Sequence, residues 1–210
     1  KVYDLLTEQG ENVVNDHIAI RTFNLPEINI SVLSIPIINA GYEEKGSYIF
    51  EEKKLIAKHY KHKSDQNAPL IFISELMVQR FSSYLQNTVK RLVREIPINI
   101  IASDNLIFSG NNWGKPSFEV YEQLRSESEY AAWVYVNGFT ANHFTVSINH
   151  LKKFKSIYEL NDFFKSNGFI MNNPEQEVQG SPEELLEQSS IKAELKKVEF
   201  QEGIFEVTSC

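Results

Sequence analysis

Two stretches, far apart in the sequence, each place an Asx-His pair at the head of an alternating run: Asp16-His17 in "NDHIAIRTF" (15–23) and Asn142-His143 in "ANHFTVSIN" (141–149). In a strand, residues i, i+2 and i+4 share a face. His17, Ala19 and Arg21 therefore project to one side, opposite Ile18, Ile20 and Thr22. His143, Thr145 and Ser147 likewise share a face, opposite Phe144, Val146 and Ile148. In both strands the apolar face can pack on helices, which leaves the histidine face to a wet or metal-containing hollow. Imidazole is a good ligand for divalent iron, zinc, copper and nickel. Two histidines and one carboxylate on one side of a metal leave three positions open, the arrangement of non-haem iron(II) oxygenases. A single such histidine reads more simply as a core residue bonded to a backbone carbonyl; the matched pair favours a metal. Arg21 offers a planar fork that fits a carboxylate bidentately, against the plainer reading of a solvated strand residue.

The remaining candidates are weaker. His59 and His62, in "KHYKHKS", have an H-x-x-H spacing but read as the solvent-facing end of a basic hairpin, and His150 reads as exposed. Ser181 with Glu184 three residues on has the form of a capping box. Gln188, Ser189 and Ser190 could line a pocket but read first as strand-edge polarity. No phosphate-loop or G-x-S-x-G spacing occurs, and Cys210 has no evident partner histidine, so nucleophilic catalysis has no support.

The frame that must position these residues is ordinary. With 42% apolar, 12% aromatic and 23% charged residues, the chain has material for a packed core. A net charge of −7 argues against a nucleic-acid surface and leaves room for a small acid held by one arginine. One cysteine cannot pair within the chain, which points to a reducing compartment, expected to be the cytoplasm. The longest apolar run, "INISVLSIPII", is too short to span a bilayer and contains Pro36. No signal peptide is read in "KVYDLLTEQGE", and both ends read as trimmed, since residue 1 is not Met.

Periodicity predicts helix over 1–9, a strand at "HIAIRTF", an ambiguous "LPEINISVLSIPIINAGY" that Pro26 could open as a helix, a hairpin at "GSYIFEEKKLIAKHYKH" and a strand at "APLIFISEL". Helices follow at 77–96, with a stripe of Phe81, Leu85, Val89, Leu92 and Val93, and at "FEVYEQLRSESEYAAWVYVNG", closed by Gly138. The order then restarts: strand, helix, extended segment, strand, strand. The expected fold is α+β. Two βαβββ modules, 10–76 and 139–210, form a cupped mixed sheet, and a helical insertion at 77–138 lies between them within one catalytic domain.

"NDHIAIRTF", "VNGFTANHFTVSIN" and "QGSPEELLEQSSIKAE" resemble the 2-oxoadipate dioxygenase/decarboxylase family, also called hydroxyglutarate synthases, from about residue 10 to the end. The resemblance implies a fold of the vicinal-oxygen-chelate type. It places the family's two metal histidines on His17 and His143 and its substrate-selecting arginine on Arg21. It implies iron(II), with a third ligand, a glutamate, expected beyond Cys210; Glu206 does not match that motif and is not assigned. The partners implied are a 2-oxo acid, 2-oxoadipate, and O2, with 2-hydroxyglutarate and CO2 as products and lysine catabolism as the setting. Two other classes stay open: a glyoxalase-type metal-dependent isomerase, lyase or hydrolase, and a metal-free module that binds a small acid.

Overall fold

A five-stranded mixed sheet carries the histidine strands. The computed structural model describes residues 1–181 and 186–208, with the backbone alone at Ser181 and Leu186. Strand β1 (Asn15–Phe23) lies beside β4 (Leu70–Leu76) in parallel register, with His17 opposite Leu70, Ala19 opposite Phe72 and Arg21 opposite Ser74. β2 (Tyr42–Phe50) and β3 (Leu55–His62) form the expected hairpin, turning at "EEKK", and β3 pairs antiparallel with β4. β5 (Ala141–Val146) adds to the free side of β1, so the order is β2-β3-β4-β1-β5.

The two-residue repeat of a strand gives this sheet unlike faces. One buries Ile20, Thr22, Tyr60 and Ile73 in the main core. The other bears His17, Ala19 and Arg21 on β1, Phe72 and Ser74 on β4, and Ala57 and His59 on β3. The expected alternation along β1 is thus observed. Along β5 it holds less well: Phe144, expected to pack on a helix, is 63% exposed.

The chain divides into two compact units: Asp16–Thr145 with Lys197–Val207, and Lys1–Asn15 with Val146–Lys196 and Thr208–Cys210. The expected module limits near 76 and 138 therefore fall inside the first of these. Within it, α2 (Ile30–Leu33) and α3 (Ile35–Asn39) connect β1 to β2. Pro26 stands ahead of both, and it is Pro36 that occupies a first helical turn. α4 (Ser83–Glu95) starts six residues later than expected, because Ser82 caps it through Leu85 N. It buries Leu85, Val89, Leu92 and Val93. After α5 (Ile98–Ile101), the long helix expected up to Gly138 is two: α6 (Phe118–Glu127) and α7 (Glu129–Asn137). The break falls at Ser128, whose extended backbone leaves its hydroxyl free to accept from Ala131 N. Gly138 closes α7 at φ +66, and an added Cβ would overlap the Gly110 backbone, so only glycine fits. β8 (Leu195–Phe200) and β9 (Gly203–Thr208) form a two-stranded ladder whose Phe205 stacks on Phe118 with centroids 3.8 Å apart.

The other unit has its own small core of Leu6, Leu151, Leu160 and Phe164, built on α1 (Val2–Glu8) and α8 (Ile157–Ser166). β6 (Val178–Ser181) and β7 (Leu186–Ser189) make a second two-stranded ladder. The capping box expected from Ser181 and Glu184 needs Glu184, which lies outside the described residues. Among the described residues, the strands after β5 form these two short ladders rather than one sheet repeating the first. The fold is α+β around a mixed sheet. Among the described residues no helix is long and apolar enough to cross a membrane.

Candidate metal and substrate site

The first observation about His17 and His143 is that they meet. They stand on neighbouring strands, β1 and β5, and their rings lie edge to face with centroids 5.7 Å apart. The Asx residue before each histidine explains the repeated dipeptide. Asp16 Oδ2 lies 3.0 Å from His17 Nδ1, and Asn142 Oδ1 lies 2.8 Å from His143 Nδ1. A carboxylate or amide oxygen only accepts, so each Nδ1 carries a proton, and in the neutral ring each Nε2 keeps its lone pair. An outer oxygen that fixes tautomer and ring angle is the usual support of a metal-binding imidazole.

His17 Nε2 accepts from Thr145 Oγ1 at 2.8 Å, across the β1–β5 pair. Its ring meets Phe72 edge to face at 5.2 Å. His143 is accessible to solvent, yet the surrounding groups strip enough water to hold its pKa below the usual imidazole range; the Arg21 charge, and His17 when it carries one, act in the same direction. The neutral ring this favours is the form that binds a metal.

These donors suit a divalent metal that accepts imidazole nitrogen, for which they would supply two ligands. Among the described residues no group of three or more His, Cys, Asp or Glu could hold a metal ion. Glu206 is exposed on β9.

Arg21 points to the same face as His17, and its charge is felt at His143. Its guanidinium carbon lies 5.1 Å from the Tyr130 ring centroid and 5.0 Å from that of Trp133, both on α7. It is therefore not a plain surface arginine. Tyr130 also joins the two central strands: its hydroxyl accepts from Thr22 N at 3.0 Å and donates to Ser74 O at 2.7 Å. Burial pushes its pKa up, which keeps it protonated as that bond requires.

His59 differs from expectation. Rather than facing solvent, it is partly buried on the His17 face. It stacks on Phe72 at 5.3 Å and on Tyr48 at 5.7 Å, with Nδ1 2.9 Å from Tyr48 Oη. Desolvation lowers its pKa. A bulge between Glu44 and Gly46 admits this pair, and a Cβ on Gly46 would meet the His59 ring at 2.9 Å. His62 ends β3 and anchors the turn after it: Nδ1 accepts from Asp65 N at 2.9 Å and Nε2 donates to Ala40 O at 3.1 Å. Three residues apart on a strand, the two rings face opposite ways and make no metal pair. His150 is exposed as expected, with Nδ1 3.0 Å from Ser147 Oγ, and Ser189 donates to Asn161 Oδ1 at 2.6 Å within its unit. Sequence reasoning missed Tyr130, Trp133 and Tyr48. The i, i+3 spacing of the first two could have suggested a shared helix face, but nothing local tied that face to Arg21.

The chain is similar to known proteins in sequence and in fold. The family model for 2-oxoadipate dioxygenase/decarboxylase matches residues 105–209. The chloroplastic/amyloplastic 2-oxoadipate dioxygenase/decarboxylase of Oryza sativa subsp. japonica is 33% identical over 94% of this chain, and the chloroplastic enzyme of Arabidopsis thaliana is 33% identical over 93%. The chain spans only 57% and 56% of those two relatives. Among solved structures, the hydroxyglutarate synthase from Oryza sativa in complex with 2-oxoadipate is 30% identical with a TM-score of 0.89, over 99% of this chain and 70% of that one. A provisionally named hydrolase from Shewanella frigidimarina NCIMB 400 is 44% identical with a TM-score of 0.89, over 100% of this chain and 85% of that one. A glyoxalase-superfamily protein from Ralstonia eutropha JMP134, also provisionally named, is 20% identical with a TM-score of 0.78 over 98% of this chain and 72% of that one, and shares the fold. With paired histidines on adjacent strands and relatives at this identity and coverage, the chain belongs to the 2-oxoadipate dioxygenase/decarboxylase family.

Proposed function

We propose that the protein is a non-haem iron(II) dioxygenase/decarboxylase that converts 2-oxoadipate and O2 to 2-hydroxyglutarate and CO2. The observation that carries the reading is the convergence of His17 and His143 with both Nδ1 atoms held by Asx oxygens. It is supported by family membership and by the 2-oxoadipate bound to the rice hydroxyglutarate synthase. Imidazole nitrogens together with a carboxylate suit iron(II) and leave it open positions; the carboxylate in this reading is a glutamate. Bound iron(II) would supply chelation of the acid's carboxylate and keto oxygens and activation of O2.

The chain's own residues do the rest. His17 and His143 present Nε2 lone pairs from a rigid sheet, and Asp16 and Asn142 hold the rings. Arg21 binds the acid's second carboxylate through its fork, which fixes the substrate's direction over the sheet. Phe72, beside His17, gives the floor an apolar wall that excludes water from one side. We place the activity in the cytoplasm, supported by one cysteine in 210 residues, within lysine catabolism; the two curated plant relatives carry chloroplast names.

The provisional hydrolase name of the 44% identical structure favours one competitor, a metal-dependent hydrolase on the same fold. An oxygen electrode with full-length protein, iron(II) and 2-oxoadipate separates them. Uptake that needs both, with CO2 released in equal amount, supports the proposal. No uptake alongside hydrolytic turnover with zinc overturns it.

A further inference from the structure

Arg21 is held from above by a helix of the insertion, and that grip has a function of its own. A guanidinium can stack its face on an aromatic ring, while all five of its N–H groups lie in the plane and point from the edge. Ring contact and carboxylate binding therefore use different parts of the group. Both rings are within the roughly 6 Å at which a cation and a ring attract. They come from positions three apart on α7, so one helix face carries both. That face is itself fixed. Tyr130 Oη is bonded to the backbones of β1 and β4, Ser128 caps the helix start, and Trp133 is buried at 6% exposure. A long arginine side chain otherwise has many rotamers to lose on binding an acid; two rings on a pinned helix remove most of them beforehand.

We propose that Tyr130 and Trp133 are positioning residues: a two-ring clamp that aims the Arg21 guanidinium and so makes the site select 2-oxo acids bearing a second carboxylate. This rests on the dioxygenase reading and deepens it, by tying substrate choice to the helical insertion rather than to the sheet alone.

The test compares 2-oxoadipate with 2-oxohexanoate, which has the same carbon chain without the second carboxylate. The full-length protein, its Trp133→Leu and Trp133→Phe variants and Tyr130→Leu are assayed for oxygen uptake with iron(II), and substrate affinity is measured in parallel by anaerobic calorimetry. Trp133→Leu and Tyr130→Leu are expected to raise KM and Kd for 2-oxoadipate roughly fivefold or more, from the strength of a desolvated cation–ring contact. The 2-oxohexanoate values and kcat should move less than about twofold, and Trp133→Phe, which restores a ring, should recover most of the loss. Equal weakening for both acids would mean that the rings serve only packing, and no weakening for either would mean no clamp; each overturns the proposal. If a leucine variant does not fold, Trp133→Met and Tyr130→Met, which also lack a ring, give the same comparison. A wild-type protein that binds 2-oxoadipate tightly but takes up no oxygen would sink the dioxygenase reading and leave the clamp to the calorimetry. One that binds neither acid would sink both.

Discussion

Thr145 Oγ1 lies 2.8 Å from His17 Nε2, the nitrogen whose lone pair a metal would use. Asp16 accepts the proton on Nδ1, so in the neutral ring the threonine hydroxyl is the donor in this pair. A metal and this hydroxyl therefore compete for one lone pair, and the hydroxyl must rotate away on loading. Replacing it without changing shape, Thr145→Val, should tighten iron(II) or zinc binding by roughly two- to tenfold, the worth of an ordinary hydrogen bond of about 0.5–1.5 kcal/mol. Calorimetric titration of the metal measures this. Weaker binding in the variant would show that Thr145 supports the loaded site instead.

The Asx residues make an independent prediction. Asp16→Ala and Asn142→Ala each remove an oxygen that orients a ring. Each should cost roughly 10- to 100-fold in metal affinity, as outer-shell partners generally do. Asp16→Asn retains an acceptor and should cost less. Metal content after dialysis against a graded chelator reads all three. Losses no greater than those of an alanine placed at an exposed control position would separate Asp16 and Asn142 from the site.

Arg21 should divide substrate binding from metal binding. Arg21→Ala should keep iron(II) affinity within about twofold but weaken 2-oxoadipate roughly 10- to 150-fold, since a hydrogen bond to a charged group is worth about 1.5–3 kcal/mol. Arg21→Lys should recover part of this, because a point charge cannot reproduce the planar fork. If kcat/KM for 2-oxoadipate stays within about twofold of wild type in Arg21→Ala, a change of only about 0.4 kcal/mol, the arginine is a structural strand residue.

Acid should act elsewhere. Glu11 accepts backbone N–H bonds from Lys152 at 2.8 Å and Lys153 at 2.6 Å, and these bonds hold its carboxyl below the usual 4.5 despite some burial. A carboxyl depressed in the folded state stabilises it fully above its unfolded pKa and loses that effect as pH falls through the folded value. Glu11→Gln should therefore lower Tm at pH 7, and the gap to wild type should close as pH falls below about 4. Parallel thermal melts from pH 7 to pH 3 check this; a gap constant across that range would rule out the charge as its cause.

Much of the fold was legible because its periods are local. The alternation in "NDHIAIRTF", the hairpin around "EEKK" and the stripe of α4 each express a contact pattern within a few residues. The pairing of His17 with His143 was legible through its repeated dipeptide. His59 was not, because which β3 side chains share the His17 face depends on cross-strand register: His59 stands opposite Phe72, and Phe72 opposite Ala19. No local pattern encodes two such pairings at once. The split between α6 and α7 was missed because Ser128 has a tolerable helix propensity, and only its cap bond to Ala131 reveals the break. The role of α7 over Arg21 is likewise a tertiary fact, carried by residues whose sequence signal is simply that of a helix core.

The place of β5 at the end of the order β2-β3-β4-β1-β5 has a consequence for synthesis and quality control. Until Ala141–Val146 has left the ribosome, β1 is an open edge, with unpaired backbone groups along a strand that ends in buried Ile20 and Phe23. Such an edge is a template for joining another chain. Closing it requires a contact across more than half of the chain, a slow step for any nascent polypeptide. Nascent chains stalled before residue 141 should therefore be chaperone clients and prone to aggregate. In the iron reading, both histidines would be in place only after β5 docks, so the event that brings the pair together is also the one that makes the sheet safe.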